Sequence, residues 1–180
     1  MSVSPTILIA SPQMKDPSFE RTVVLVWHYD EDGAIGVVIN RTLRHKIADV
    51  LEMETTLDLE TFGDTPVVWG GPVESDSGTV VTGGEISDTE GWILPNGLGV
   101  TRSQDALLRL LETGAPTMLC LGYAGWGPGQ LDRELELGGW LWTDCDAHII
   151  FNVPVEDRYD HAIATLGVSE HMVWMHPVHE

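Results

Sequence analysis

The chain has 180 residues, 43% of them hydrophobic, which is enough to build one sizeable core. A formal net charge of −19, with Lys15 and Lys46 as the only lysines, argues against direct binding of nucleic acid or of an anionic membrane surface. The sequence contains no apolar run of about 18 residues, so we expect no transmembrane helix.

Composition also bears on the cellular compartment. The first residues show no basic segment followed by a long apolar one, so we expect no secretory signal. Cys120 and Cys145 provide no disulfide framework, and we expect a cytoplasmic protein with both thiols buried. The acidic, lysine-poor composition is typical either of a saline habitat or of a docking surface for a basic partner, and both interpretations stay open.

Strands and hairpins dominate the first half of the chain. Patterns rich in β-branched residues predict strands at residues 6–10, 21–29, 34–40, 66–69 and 79–82. Asp32 and Gly33 predict a hairpin turn between the second and third strands, and residues 11–20 are rich in turn formers. We expect the strand at residues 66–69 to pair with the strand at residues 79–82.

One helix is expected in this half. Leu43, Ile47, Val50 and Leu51 share one helical face, which predicts a short helix over residues 44–52. An acidic, threonine-rich segment over residues 54–64 follows, for which a surface loop and a frayed helix are both open.

The second half mixes strands and helices. The pattern predicts strands at residues 92–94, 98–100, 118–121, 140–142 and 147–151 and helices at residues 101–112 and 154–166. Thr101 and Gln104 form a candidate capping box. Leu131 and Leu135 predict a short helix, although a strand there is not excluded. Residues 172–175 form either a short strand or a final turn. We therefore expect an α+β fold in a single domain over residues 1–180, with a mixed or antiparallel sheet and helices around it.

A glycine corner, residues 122–129, connects a buried strand to the short helix. Its simplest interpretation is a tight turn that packs Trp126 into the core. A ligand-binding corner is the alternative, because N–H groups at a strand–turn–helix junction can bind anions. The glycine spacing fits neither phosphate-binding motif, and Asp132 and Glu134 already occupy the positive end of the helix dipole.

The residues that could carry catalysis or bind a metal are better explained by structural roles. No zinc-protease, nucleophile-elbow or paired-cysteine motif is present. Cys120 lies in an apolar run, which predicts a buried thiol, and we expect the tryptophans at positions 126, 140 and 142 to be core residues. Two clusters keep a functional alternative: an acid–base pair among Glu85, Asp88 and Glu90, and a metal site among His171, His176 and His179. A solvated loop and a solvated tail are the simpler interpretations.

Asp16, Arg21 and Asn40 suggest a polar cluster. Arg21 opens one strand and Asn40 ends the next, so hairpin pairing brings them near each other, and Asp16 could pair with Arg21. Two interpretations remain open. The residues form an ion pair and an asparagine that satisfies loop backbone groups, or they form a small polar pocket beside Gly70 and Gly71.

Four segments carry a resemblance. They are LIASPQMKDPSFERTVV at residues 8–24, GAIGVVIN at residues 33–40, WGGPV at residues 69–73 and GYAGWGPGQL at residues 122–131. In sequence and order they resemble the motifs of the YqgE/AlgH family of bacterial proteins. The resemblance implies a compact α+β domain with a small barrel-like sheet surrounded by helices. It also implies that the family's shared pocket is lined by Asp16, Arg21, Asn40, Gly70, Gly71 and Gln130.

The family resemblance implies no settled activity, although some members carry a label as transcriptional regulators. We expect a non-enzymatic binding or regulatory protein that takes a small ligand or a protein partner, with no cofactor and no metal. A DNA-binding regulator is an alternative that the charge opposes. An enzyme such as a hydrolase, with Asp16, Arg21, Asn40 and Gln130 orienting a polar substrate, is another.

Overall fold

A computed structural model describes residues 6–47 and 65–166. Its strands are β1 (Thr6–Ala10), β2 (Val23–Asp30), β3 (Gly33–Val38), β4 (Thr42–Lys46), β5 (Pro66–Trp69), β6 (Val73–Thr82), β7 (Gly91–Ile93), β8 (Gly99–Thr101), β9 (Thr117–Trp126) and β10 (Trp140–Asp144). Its helices are α1 (Gln104–Thr113), α2 (Gln130–Glu136), α3 (Ala147–Phe151) and α4 (Arg158–Thr165), with 3₁₀ turns at Pro95–Gly97 and Val155–Asp157. The fold is α+β and dominated by its sheet.

Strand β9 joins the two parts of the sheet. The hydrogen-bonded order is β10-β1-β2-β3-β9-β6-β8-β7, with β5 between β4 and β9. The first half of β9 pairs with β5 in parallel and with β6 in antiparallel orientation, whereas its second half pairs with β3. The change of partner occurs around Gly122, whose φ of 79° an L side chain rarely adopts. One strand therefore serves both parts because a glycine lets it bend between them.

The sheet is curled, and its inner face forms the core. Every residue of β1 is buried, as are the first five of β2, since both strands lie inside the sheet and are covered on both faces. The rings of Trp27 on β2 and Trp92 on the terminal strand β7 lie 5.8 Å apart, although four strands (β3, β9, β6 and β8) separate β2 from β7 in the order. The sheet thus forms a half-barrel. Within the described part of the chain, no helix is long and apolar enough to cross a membrane.

Most predicted elements are confirmed. The strands at residues 6–10, 21–29, 34–40, 66–69, 79–82, 92–94, 98–100, 118–121 and 140–142 are present with ends shifted or extended, as are the hairpin turn at Asp32 and Gly33 and the helices at residues 101–112 and 154–166. Leu131 and Leu135 lie on a helix, α2, and not on a strand. The single-domain boundary of 1–180 stays a prediction.

The predicted helix at residues 44–52 is wrong for its first three residues, and the predicted pairing of the strand at residues 66–69 is wrong as well. Residues 42–46 form a strand against β5, because the pairing edge of β5 overrides a weak helical pattern, whereas Ile47 is helical and residues 48–52 lie outside the described residues. The strand at residues 79–82 is the end of β6 and pairs with β8 and β9, whereas β5 pairs with β4 and β9. A parallel partner distant in sequence is invisible to local patterns.

Two other predictions are wrong near helices. Residues 147–151 form helix α3, whose first turn is capped by the Asp146 carboxylate accepting from the His148 N–H at 2.9 Å. Helix α1 is capped by Ser103, which accepts from the Ala106 N–H at 3.1 Å, while Thr101 belongs to β8. The acidic segment at residues 54–64, the segment at residues 172–175 and the three C-terminal histidines lie outside the described residues.

Candidate functional site

A cleft of about 360 Å³ lies between the turn-rich segment at residues 11–20 and helix α2. It is lined by Gln13, Met14, Lys15, Asp16, Phe19, Gly125, Trp126, Gln130, Glu134, Leu137, Gly138 and Gly139. The glycine corner forms one wall and the residues after α2 form another. The volume is near the lower end of the range typical of small-molecule sites, roughly 300–1,000 Å³.

The segment at residues 11–20 is held in place by hydrogen bonds. The Ser11 N–H donates to the Gly139 carbonyl at 3.0 Å, which ties the segment to the residues after α2. The Asp16 carboxylate accepts from the Ser18 N–H at 2.9 Å and closes a local turn. The Arg41 guanidinium donates to the carbonyls of Pro17 and Glu20, and burial lowers the pKa of Arg41. This wall of the cleft is therefore formed before any ligand arrives.

The wall contributed by α2 is held by one glutamine and one glutamate. The Gly127 N–H donates to Gln130 Oε1 at 3.0 Å, and Gln130 Nε2 donates to Glu134 Oε2 at 2.9 Å. These two side chains are four residues apart and therefore neighbours on one helical face. Gly129 caps the helix with a φ of 72°, which is why a glycine is suited to the turn that enters α2.

The Glu134 carboxylate is the centre of the cleft's polar network. Its Oε1 accepts from the indole N–H of Trp126 at 3.0 Å and of Trp140 at 2.9 Å. With the bond from Gln130, the half-buried carboxylate accepts three hydrogen bonds, all from uncharged donors. No basic side chain of residues 6–47 or 65–166 forms an ion pair with it. The negative charge is therefore positioned but not neutralised by the described residues.

Aromatic rings surround this carboxylate. Phe19 stacks on Trp126 with ring centroids 6.3 Å apart and meets Trp140 edge-on at 5.8 Å. Trp126 and Trp140 are themselves edge-to-face at 6.1 Å. Such pairs add to the stability gained from burial and fix ring orientations. The rings thus hold both indole donors in the positions from which they bond Glu134.

A second depression, of about 470 Å³, shares Gly125 and Trp126 with the cleft. There His28 pairs with Asp30 at 2.9 Å, and the Tyr123 hydroxyl, which lines the same depression, donates to Glu74 at 2.9 Å, a bond that raises the pKa of Tyr123. The side chains of His28, Asp30 and Tyr123 therefore already have polar partners. The cleft with Glu134 is the stronger candidate for binding.

Comparison with known proteins identifies the family of this chain. A model of the family described as DUF179, AlgH-like, matches residues 7–171. The chain belongs to the AlgH-like family.

The relatives of this AlgH-like chain agree with the family match. A UPF0301 protein from Ralstonia nicotianae is 39% identical over 169 residues, which cover 92% of this chain and 89% of that protein. The solution structure of the AlgH protein from Pseudomonas aeruginosa superposes with a TM-score of 0.78 at 35% identity and covers 98% of this chain and 95% of that one. The crystal structure of DIP2367 from Corynebacterium diphtheriae, with a TM-score of 0.74 over 90% of this chain and 86% of that one, shares 21% identity and supports the fold alone.

Of the six residues that the family resemblance assigned to one pocket, Asp16 and Gln130 line the cleft. Their binding role stays a prediction.

Arg21 and Asn40 lie elsewhere and next to each other. Asn40 Oδ1 accepts from the Val23 N–H at 2.8 Å and Nδ2 donates to the Arg21 carbonyl at 2.9 Å, so this side chain joins two backbone segments. The Arg21 guanidinium lies 4.4 Å from the ring centre of Tyr159 and 3.4 Å from Asp160 Oδ1. The expected proximity of Arg21 and Asn40 is confirmed, whereas the ion pair seen for Arg21 is with Asp160 and not with Asp16.

Gly70 and Gly71 lie in the connection from β5 to β6, where the chain crosses β9. A Cβ at Gly71 would lie 2.2 Å from the Tyr123 backbone, and one at Gly70 would lie 2.3 Å from the Gly122 carbonyl oxygen. Their positions follow from close backbone approach. The structure therefore brings two of the six predicted residues into the cleft. Of the other four, Arg21 and Asn40 are hydrogen-bonded to each other at the start of β2, and Gly70 and Gly71 pack against the backbone of β9.

The cleft also contains residues that sequence reasoning did not assign to a site. Among them are Glu134, Phe19 and Lys15, together with Trp126, which was expected in the core and is indeed buried. The spacing of Gln130 and Glu134 was a usable signal, because residues four apart meet on a helix. Trp140 is buried as expected, but Trp142 is 59% exposed and not a core residue.

The other candidate groups have structural roles or stay outside the described residues. Burial raises the pKa of the Cys120 thiol to about 12, with Arg158 acting in the opposite direction, so the thiol is protonated at neutral pH. Glu90 pairs with Arg109, and that hydrogen bond holds the pKa of the carboxyl at about 2. Among the described residues, no three His, Cys, Asp or Glu side chains are grouped to hold a metal ion.

Proposed function

We propose that this protein is a non-enzymatic binding protein, and that the cleft between residues 11–20 and α2 takes a small polar ligand. The observation that carries the proposal is the Glu134 carboxylate, held at the cleft by two indole N–H groups and by Gln130. A pre-positioned polar group in a largely apolar cleft is the usual arrangement for oriented recognition of a small molecule.

The lining favours binding over catalysis. It includes carboxylates, an ammonium group and aromatic rings, and no serine, cysteine or histidine is among the residues that line it. A nucleophile within reach of a base is the usual sign of covalent catalysis, and the cleft residues offer no such pair. The hydrolase alternative has less support than simple binding for this reason.

A regulatory role is the second part of the proposal. We infer that the occupied cleft acts through a protein partner, since a net charge of −19 opposes direct contact with DNA. A cytoplasmic location goes with this proposal, and the burial of Cys120 and Cys145 is compatible with a reducing compartment. Fractionation of the cells that express the chain tests the location.

The test of binding is a thermal-shift screen of metabolites, nucleotides and sugars, followed by calorimetry on each hit. A ligand at 100 times its dissociation constant adds about 2.7 kcal/mol to the free energy of unfolding. We expect hits to weaken at least about tenfold in Gln130→Ala, which removes the residue that positions Glu134. The matched control is Gln104→Ala, an exposed glutamine at the start of α1, which should bind like the wild type.

Two outcomes would contradict the proposal. A screen without any hit would leave the cleft without a small-molecule role and favour a protein partner alone. Turnover of a defined substrate that Asp16→Asn or Gln130→Ala abolishes would make the protein an enzyme.

A further inference from the structure

The described residues leave the charge of Glu134 without a counter-ion. A carboxylate has about four acceptor positions, and Trp126, Trp140 and Gln130 occupy three of them. All three donors are neutral, so they fix the orientation of the carboxylate without cancelling its charge. A half-buried, unneutralised carboxylate is attractive to a cation because burial weakens the competition from water.

The other charges of the cleft keep the balance negative. Asp16 and Lys15 line its mouth as neighbours in sequence, both exposed, and their opposite charges largely offset each other. The electrostatic potential inside the cleft is then negative because of the Glu134 carboxylate. The net charge of −19 on the whole chain acts in the same direction and concentrates cations near the surface while it repels anions.

The remaining lining is suited to an apolar stem. Phe19, Trp126, Met14 and Leu137 contribute rings and aliphatic groups beside the carboxylate, and Leu137 is 77% exposed. Aromatic rings near a carboxylate favour ammonium and guanidinium groups, since the rings attract a cation through their quadrupole. Inorganic cations would gain nothing from these apolar surfaces.

From these observations we propose that the cleft selects an organic cation, an ammonium or guanidinium group on a short apolar stem, with Glu134 as its counter-ion. The inference rests on the proposed binding function of the same cleft and adds the chemical class of the ligand. The cationic group donates to the unoccupied acceptor position of Glu134. The stem packs against Phe19 and Leu137.

The test uses three probes of nearly equal size and different charge: butylguanidinium, the neutral butylurea, and the anionic pentanoate. Each is titrated into the ¹⁵N-labelled full chain at physiological ionic strength, which screens non-specific attraction to the acidic surface. The readout is the indole N–H signals of Trp126 and Trp140, because both groups bond directly to Glu134. We expect butylguanidinium to shift both signals saturably, butylurea to bind at least about tenfold more weakly, and pentanoate not to bind.

Three variants separate the counter-ion from general charge effects. Glu134→Gln should weaken butylguanidinium at least about tenfold, while Glu136→Gln, an exposed residue on the same helix with the same change of charge, should leave it unchanged. Lys15→Met removes a positive charge that repels the butylguanidinium cation at the mouth of the cleft, and it should tighten binding of this probe about two- to fivefold. If Glu134→Gln does not fold, Asp16→Asn replaces it with an expected weakening of about two- to fivefold.

The outcomes distinguish this inference from the function on which it rests. Equal affinity for butylguanidinium and butylurea, or equal losses in Glu134→Gln and Glu136→Gln, overturns the cation proposal. Binding of pentanoate, or a screen whose hits are all neutral or anionic, overturns it as well but leaves the cleft as a binding site. If no probe shifts the two indole signals and the thermal-shift screen gives no hit, both proposals fail.

Discussion

Single polar side chains hold distant backbone segments of this molecule together. Arg158 is 6% exposed and donates to the carbonyls of Ile150 and Val153 at the end of α3 and of Ile39 after β3, which are two segments distant in sequence. Burial lowers the pKa of Arg158, and the carbonyl oxygens take the place of a carboxylate partner. Asn40 has a similar role between β2 and the end of β3. In both cases the polar side chain is occupied by hydrogen bonds to the backbone, and for Asn40 this is the structural alternative to a role in a pocket.

Asn40→Ala tests this structural interpretation. Loss of its bonds to the Val23 N–H and the Arg21 carbonyl should lower the free energy of unfolding by about 1–3 kcal/mol, measured by urea denaturation. Asn152→Ala, an exposed asparagine after α3, is the control and should change stability by less than about 0.5 kcal/mol. A variant of unchanged stability that loses only ligand binding would return Asn40 to the list of site residues.

Among the elements, β9 decides how the two parts of the sheet meet. It bends at Gly122, and the chain at Gly70 and Gly71 crosses it at backbone contact distance. The same strand ends at Trp126, whose indole bonds Glu134 on α2. The crossing therefore positions one wall of the cleft. Gly70 and Gly71, which the sequence suggested for a pocket, are needed for close packing of two backbone segments.

Gly71→Ala should prevent stable folding. The added Cβ would lie 2.2 Å from the Tyr123 backbone, and the φ of 151° is unfavourable for alanine. We expect a loss of more than about 3 kcal/mol, read from thermal unfolding or from the absence of folded protein. Gly125→Ala in the glycine corner meets only a ring carbon at 3.8 Å and should cost less than about 1 kcal/mol. Equal effects of the two changes would contradict the crossing.

The ion pair of Glu90 with Arg109 links the loop before β7 to α1 and makes stability depend on pH. Because the pKa of Glu90 is lowered from 4.5 to about 2 in the folded chain, the pair contributes stability above pH 4.5 that is lost as the pH falls towards 2. In Glu90→Gln the melting temperature should therefore fall less steeply over this interval than in the wild type. Parallel melting curves of the two proteins across the interval would show that the pair contributes nothing.

The whole molecule is dominated by its negative charge. With a net charge of −19, self-repulsion opposes the compact state, and salt should relieve it. The melting temperature should rise steeply between about 10 and 150 mM NaCl, where the Debye length falls from about 30 to 8 Å. A flat response would mean that the charges are spaced widely enough not to interact and would favour a docking surface over adaptation to a saline habitat.

Much of the fold could be predicted from the sequence because its signals are local. The apolar runs of β1, β2 and β3, the turn at Asp32 and Gly33, and the leucine face of α1 each follow from side-chain periodicity or turn chemistry. The errors fall where local patterns are weak. Residues 147–151 are apolar except for His148 and have no periodicity that separates a helix from a strand, and the cap at Asp146 favours the helix.

The candidate site divides in the same way. The sequence alone determined the acidity and the glycine corner, because these depend on composition and on short spacings. The structure decided that residues 130–136 form a helix and not a strand, and this helix places Gln130 next to Glu134. Only the tertiary structure decided that Phe19, Trp126, Trp140 and Glu134 meet around one cleft and that Arg21, Asn40, Gly70 and Gly71 do not line it. Phe19 contacts Trp126 and Trp140, which are more than a hundred residues away in the chain, and these distances depend on how β9 crosses the sheet, which no local pattern in the chain records.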